Sequence, residues 1–247
     1  MDRMIYVGMS GAKQAMEQQA SVANNMANVS TPGFRAQINN FRAVPVVGQE
    51  AATRAMVVAS TPGADMRSGP MTQTGRALDV AVRGDGWLTV QMPDGSEAYT
   101  RVGNLQVGAE GQLMTMDFRP VAGEAGPLVV PPGAALTITG DGLVSAGGPD
   151  GLATGAAEVG RLKLVNPPVG DMVRGDDGLF RMQPGVEPAQ ADPAVRLLTG
   201  TLEGSNVNPV QVMVDMIANA RRFEMQMKTL QTAESNDQQA NKLLSNS

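Results

Sequence analysis

The chain of 247 residues contains neither cysteine nor histidine. Without them no disulfide framework, no Ser-His-Asp or Cys-His catalysis and none of the usual zinc sites can be built. Aromatic side chains are scarce, with five Phe, two Tyr and one Trp. A sugar-stacking cleft is therefore poorly provisioned, and a core has to come from Val, Leu, Ala, Met and Ile. The net charge of −5 has the wrong sign for neutralising phosphates, so nucleic acid is not an expected partner. No apolar run reaches the roughly 18 residues needed to span a bilayer. The start, MDRMIYVGMSGAKQAMEQQA, lacks the basic end and apolar run of a cleavable signal peptide.

What is abundant is Met (17), Gly (29) and Pro (16). Met fills irregular gaps and suits interfaces as well as cores, and Gly with Pro favours many turns. Asp85, Asp94, Asp141, Asp176 and Asp177 sit in Gly-rich turns. That is hairpin chemistry, because no calcium loop with its distal Glu is present. No carboxylate pair, Glu203 with Glu234 included, is singled out for hydrolysis. The expectation is a protein that is not an enzyme, with no cofactor, no metal and no small-molecule substrate.

Four stretches differ in texture. A helix is predicted over 4–28, with Ile5, Met9, Ala12, Met16, Gln19, Ala23 and Met26 alternating by four and three. It ends in ANNMANVSTPGFRA, where Pro32 pushes Thr31 toward extended geometry and Gly33 releases the chain. From 34 to 76 no steady period appears, which reads as an extended connector. From 77 onward short alternating segments such as LDVAV, WLTVQM, LTITG and RLKLV are separated by turn signals, the pattern of an antiparallel β domain. A long helix is predicted over 209–244, opened by Asn208 as N-cap and Pro209 at the first position. Its seam reads Met213, Met216, Ala220, Phe223, Met227, Leu230, Glu234, Asp237, Asn241 and Leu244.

The expected architecture is α+β. Long N- and C-terminal helices form a coiled coil, with an inserted, mostly antiparallel β domain and an extended connector. The divisions are an N-terminal helix at 1–33, a connector arm at 34–76, a β-rich domain at 77–204 and a C-terminal helix at 205–247. A second apolar line on each helix lies off the first seam: Ala15, Val22 and Val29 on one, Val210, Val214, Ile217 and Met225 on the other. It points to further helices from other subunits.

ANNMANVSTPGF resembles the N-terminal signature of the flagellar axial proteins, the rod, hook and hook-associated subunits. The resemblance covers the whole chain. TGRALDVAVRGDGWLTVQ (74–91) is similar to the family's entry into its β domain, YTRVGNLQVGAEGQLMT (99–115) to the hairpins that follow, and LEGSNVNPVQVMVDMIANARRFEMQMKTLQTAESNDQQANKLL to its C-terminal helix. Within the flagellar basal-body rod proteins, MDRMIYVGMSGA and STPGFRAQINNFRAVPV are most like the proximal member. The distal member typically has Asn where this chain has Pro32, and the hook protein carries a larger middle.

The resemblance implies a structural subunit of the rod, the drive shaft that crosses the periplasm and transmits torque. It implies export through the flagellar type III apparatus without signal-peptide cleavage, then polymerisation with itself and with other rod subunits. Terminal helices would pack around the central channel and order mainly on assembly. The implied assembly contacts are Ile5, Met9, Met16, Asn24, Asn25, Met26, Asn28, Met213, Met216, Phe223, Met227 and Leu230. Facing other helices, the asparagine amides could fix register as a buried Asn does in coiled coils. Phe34 with Ile38, and Phe41, resemble an export gate motif, from which Phe41 departs because Pro45 is its fourth residue on. The competing readings are a distal rod or other axial subunit, a soluble coiled-coil binding module, and a carboxylate enzyme on a β scaffold.

Overall fold

Residues 2–39, 41–45, 55–59, 63–147 and 157–245 are described in the computed structural model. The side chains of Ile5, Phe41, Asp237, Asn241 and Leu244 lie outside the described ones. The chain divides into two units. One comprises Met1–Val29, Gln37–Asp65 and Val207–Ser247, the other Ser30–Ala36 and Met66–Asn206.

The first unit holds two helices, α1 (Asp2–Ala27) and α2 (Pro209–Ser245). At 1.5 Å per residue they measure about 39 and 55 Å. The Asn208 carboxamide oxygen accepts from the backbone N–H groups of Val210 (3.0 Å) and Gln211 (3.2 Å), satisfying two of the donors a helix start leaves open. Part of the stretch expected as an extended connector is paired. Phe41–Pro45 runs antiparallel to Ala55–Ala59, and Gln37–Ile38 to Gly63–Ala64.

The α+β class fits this architecture, but the long coiled coil does not. There is one helix at each end of the chain and a large antiparallel β-rich body between them. Met9, Met16, Met213 and Met227, four of the residues expected in the seams, are exposed. Where α1 and α2 meet, the α1 residues are small. A Cβ placed on Gly8 would lie 2.6 Å from the Leu230 side chain, and one on Gly11 2.7 Å from that of Gln226. A coiled-coil seam needs apolar knobs at these positions, and glycine supplies none.

The second unit is built from short strands. A five-stranded antiparallel sheet runs in the order Leu164–Val165, Trp87–Gln91, Glu97–Thr100, Phe180–Met182, Met172–Arg174. A three-stranded sheet joins Ala135–Ile138, Leu143–Gly147 and Ala157–Arg161, with a register shift between Val144 and Ser145. Val80–Arg83 pairs with Arg196–Thr199, and Met71–Gln73 with Thr201–Glu203. The core is aliphatic, as the scarcity of aromatics requires: Val80, Val82, Leu88, Val90, Leu105, Leu113, Val144, Leu162 and Leu197 are all buried. Trp87 and Thr89 are buried as well, so the Trp87–Gln91 strand is covered on both faces.

Candidate assembly interface

Period alone placed the α2 seam one residue off along half of its length. A line of more buried side chains on α2 runs Val212, Met216, Asn219, Phe223, Gln226, Leu230 and Ala233, again alternating by four and three, with Asp215 and Ala218 half-buried beside it. Met216, Phe223 and Leu230 belong to both lines. In place of Met213, Ala220 and Met227 the structure turns inward Val212, Asn219 and Gln226, two of them polar. The amide nitrogen of Asn219 and the amide oxygen of Gln226 are buried without a hydrogen-bond partner. The apolar residues left outside are Val210, Met213, Val214, Ile217, Met225 and Met227, with Val210 69 % exposed and Ile217 57 %. On α1 the same exchange occurs. Ala15 and Val22 are buried, while Met9 and Met16 are exposed by 57 and 62 %. Met26 is half-buried.

The three asparagines at the end of α1 have distinct roles. Asn25 is buried, and its amide nitrogen donates to the Gln37 carbonyl (2.9 Å) while its amide oxygen accepts from the Gln37 N–H (2.7 Å). The side chain thus acts as one rung of a β ladder, fastening the returning chain to the helix. Asn28 donates from its amide nitrogen to the Asn24 carbonyl at 2.9 Å, closing the last turn. The Asn24 amide oxygen is buried without a hydrogen-bond partner.

In the β-rich unit, the STPG corner is a steric necessity. Gly33 has φ +67°, and a Cβ there would come within 2.3 Å of the Arg101 backbone. Its N–H donates to the Glu203 carbonyl at 2.7 Å. The corner delivers Arg35 into a buried charge cluster that sequence reasoning missed. Arg35 Nη1 lies 2.6 Å from Glu203 Oε1, and Arg101 Nη1 lies 3.1 Å from Glu203 Oε2. All three side chains are buried. Glu203 also accepts from the Gly69 N–H (3.0 Å), and both guanidinium groups lie near the Trp87 ring, at 5.9 and 5.3 Å from its centroid. Burial pushes the Arg101 guanidinium below its usual range, an effect that Glu203 opposes. Neither charge nor spacing marks these residues in the sequence, because they are brought together from positions far apart in the chain.

Phe34 is buried, with the Arg174 guanidinium 5.2 Å over its ring, and Ile38 is exposed. Among the described residues no group of His, Cys, Asp or Glu side chains is arranged to hold a metal ion, and no helix is long and apolar enough to cross a membrane.

One aromatic residue stands apart. Phe118 has φ +58° and is 76 % exposed, with exposed Met116 two residues before it. Its N–H donates to the Thr115 carbonyl (3.0 Å), and the Thr115 N–H to the Arg119 carbonyl (2.9 Å). This turn position favours Gly or Asn, and a left-handed backbone costs other residues about 1–2 kcal/mol.

Three family models match. Residues 5–35 match the flagella basal body rod protein model. Residues 81–146 match the flagellar hook protein FlgE/F/G D1 domain, and residues 198–243 the flagellar basal body rod FlgEFG protein C-terminal model. The flagellar basal-body rod protein FlgF of Salmonella typhimurium (strain LT2) is 54% identical over 99% of each chain, and so is that of Escherichia coli (strain K12). The rod protein FlgG of Buchnera aphidicola (subsp. Schizaphis graminum) is 28% identical over 93% of this chain and 95% of its own. Full-length identity at this level, together with matches in both terminal segments and the β-rich body, shows that the chain belongs to the FlgF family of flagellar basal-body rod proteins.

Proposed function

We propose that this chain is a structural subunit of the proximal part of the flagellar rod, incorporated by burying the outward faces of its terminal helices against other rod subunits. Membership of the FlgF family supports the rod role. The observation that carries the mechanism is the exposed line of α2, Val210, Met213, Val214 and Ile217, joined on α1 by Met9 and Met16. Apolar groups on this scale left in water are a standing driving force, at about 25 cal/mol per Å² removed from it.

The subunit reaches the basal body through the flagellar type III export apparatus as an unfolded chain. A sequence without cysteine supports this, because it threads without covalent cross-links. The export-motif residues Phe34, Ile38 and Phe41 would act in that unfolded state.

The experiment is to purify basal bodies from a bacterium whose own copy is replaced by this chain. The chain is expected in the rod fraction. Replacing Met213 and Ile217 with Ser is expected to shift it to the soluble fraction, with the isolated monomer still folded. Wild-type chain found only in the soluble fraction would refute the rod reading.

A further inference from the structure

Three stretches of the β-rich unit that lie far apart in the chain meet at one junction: 30–36, 66–70 and 203–206. The last of them binds both of the others. Glu203 accepts the Gly33 N–H on its carbonyl (2.7 Å) and the Gly69 N–H on its carboxylate (3.0 Å), and it pairs with Arg35 at 2.6 Å. Three residues on, the Asn206 amide oxygen accepts the Ala36 N–H (2.7 Å) and its amide nitrogen donates to the Arg67 carbonyl (2.8 Å). The Asn206 backbone N–H donates to the Phe34 carbonyl (3.3 Å), and the Gly204 N–H to the Pro70 carbonyl (2.8 Å). The approach is backbone to backbone, since a Cβ on Gly69 would lie 2.0 Å from the Gly204 carbonyl oxygen. If 203–206 moves away, all of these bonds are lost at once.

Two features favour such an opening. None of the junction residues belongs to the aliphatic core, which is built from Val80, Leu105, Leu113 and their neighbours. The junction can therefore part without exposing that core. In addition, two guanidinium groups share one carboxylate, and Arg35 Nε, Arg35 Nη2 and Arg101 Nε are buried without a hydrogen-bond partner. Buried donors of this kind carry a desolvation cost that contact with water removes. Glu203 holds the junction shut, while hydration of the guanidinium groups favours its opening.

We propose that 30–36, 66–70 and 203–206 form a latch that opens as one unit while the rest of the β-rich unit stays folded. Local openings run in cooperative groups, with free energies below that of global unfolding. Position in the chain gives the latch its effect. Residues 30–36 follow α1 (Asp2–Ala27) and residues 203–206 precede α2 (Pro209–Ser245), so one opening frees the roots of both helices together. In a rod, both ends of the subunit would gain freedom in a single step as a neighbour docks. That consequence rests on the rod reading above, whereas the latch itself is tested on the isolated chain.

The test is native-state hydrogen exchange of the full-length wild-type chain, in steps of denaturant below the unfolding transition. The N–H groups of Gly33, Ala36, Gly69 and Gly204 are expected to share one opening equilibrium constant. It should exceed that of the core N–H groups of Leu105, Leu113 and Val121 by about tenfold or more. Asn206→Ala then separates a latch from a set of independent contacts. The bonds of the Gly33, Gly69 and Gly204 N–H groups do not involve the Asn206 side chain. All three should nevertheless exchange faster by the same factor as Ala36, about tenfold, with the core N–H groups unchanged.

Acceleration confined to Ala36, unequal opening constants, or latch N–H groups as well protected as the core would overturn the latch and leave the rod reading standing. Absence of the chain from basal bodies would overturn the rod reading without touching the latch.

Discussion

The β-rich unit and the terminal helices handle the same apolar side chains in opposite ways. In the β-rich unit Val80, Val82, Val90 and Leu105 are removed from water altogether. Even its charged residues Arg35, Arg101 and Glu203 are drawn inside and paired. On α2, Val210, Met213, Val214, Ile217 and Met225 stay in solvent, while Asn219 and Gln226 turn inward. The first region buries its apolar side chains against one another. The second leaves its stronger apolar line exposed, the surface that the proposed packing against other rod subunits would cover. Burial inside one chain and burial between chains use the same physics, and the difference lies in which surface is left uncovered.

The contrast breaks most severely at Glu203. Glu203→Gln leaves two buried guanidinium groups without their counter-charge and should destabilise the isolated chain by about 3–5 kcal/mol in urea unfolding. A loss below about 1 kcal/mol would mean that the cluster is wetter or looser than its burial indicates. Next in size is a paired comparison. Leu88→Ala empties a site in the closed core and should cost about 2–5 kcal/mol, whereas Ile217→Ala on the exposed line should move monomer stability by no more than about 0.5 kcal/mol. Equal costs would erase the distinction between the two regions.

Asn25→Ala removes both hydrogen bonds to Gln37, and a loss of about 1–3 kcal/mol is expected, read as faster amide hydrogen exchange at Gln37 and the last turn of α1. The smallest effect is electrostatic. Arg181 donates to both carboxylate oxygens of Asp177, at 2.9 and 2.7 Å. This fork lowers the Asp177 pKa from 3.8 to about 2. A depressed carboxylate contributes stability that is present above its ordinary value and lost as pH falls through the folded one. The contribution should therefore fade between about pH 4 and pH 2. Asp177→Asn should flatten that limb of the stability profile, and an unchanged acid limb would show the fork to be inconsequential.

Much of the β-rich unit was legible in the sequence. Alternation in WLTVQM and the Asp-Gly turns correspond to the strand Trp87–Gln91 and to the left-handed Gly95, Gly142 and Gly178. The Asn208–Pro209 start is likewise a local signal, because its capping bonds reach only two and three residues ahead. The charge cluster was not legible, because Arg35, Arg101 and Glu203 acquire meaning only when distant segments meet. Phe118 was not legible either, since nothing in its local sequence announces a left-handed backbone. The coiled coil was the instructive error. An alternation of four and three is equally good for lines beginning at Val212 and at Met213, and choosing the more apolar line takes in Met213 and Met227, which the chain leaves in solvent, in place of Val212 and Gln226.

Local pattern in the sequence was enough for the two helices, for strands such as Trp87–Gln91 and for the Asp-Gly turns, and likeness along the whole length was enough for the rod family, whereas the strand pairs within 37–64 escaped it. These are matters of local chemistry and pattern, carried by neighbouring residues. Tertiary structure alone decided that Asn25 completes a ladder with Gln37, that Gly8 and Gly11 rather than Met9 and Met16 meet α2, and that Glu203 lies between two arginines. The physical reason is that periodicity fixes a residue's angle around its own axis, but not what stands opposite. That is settled by close approach and by the need to pair every buried charge.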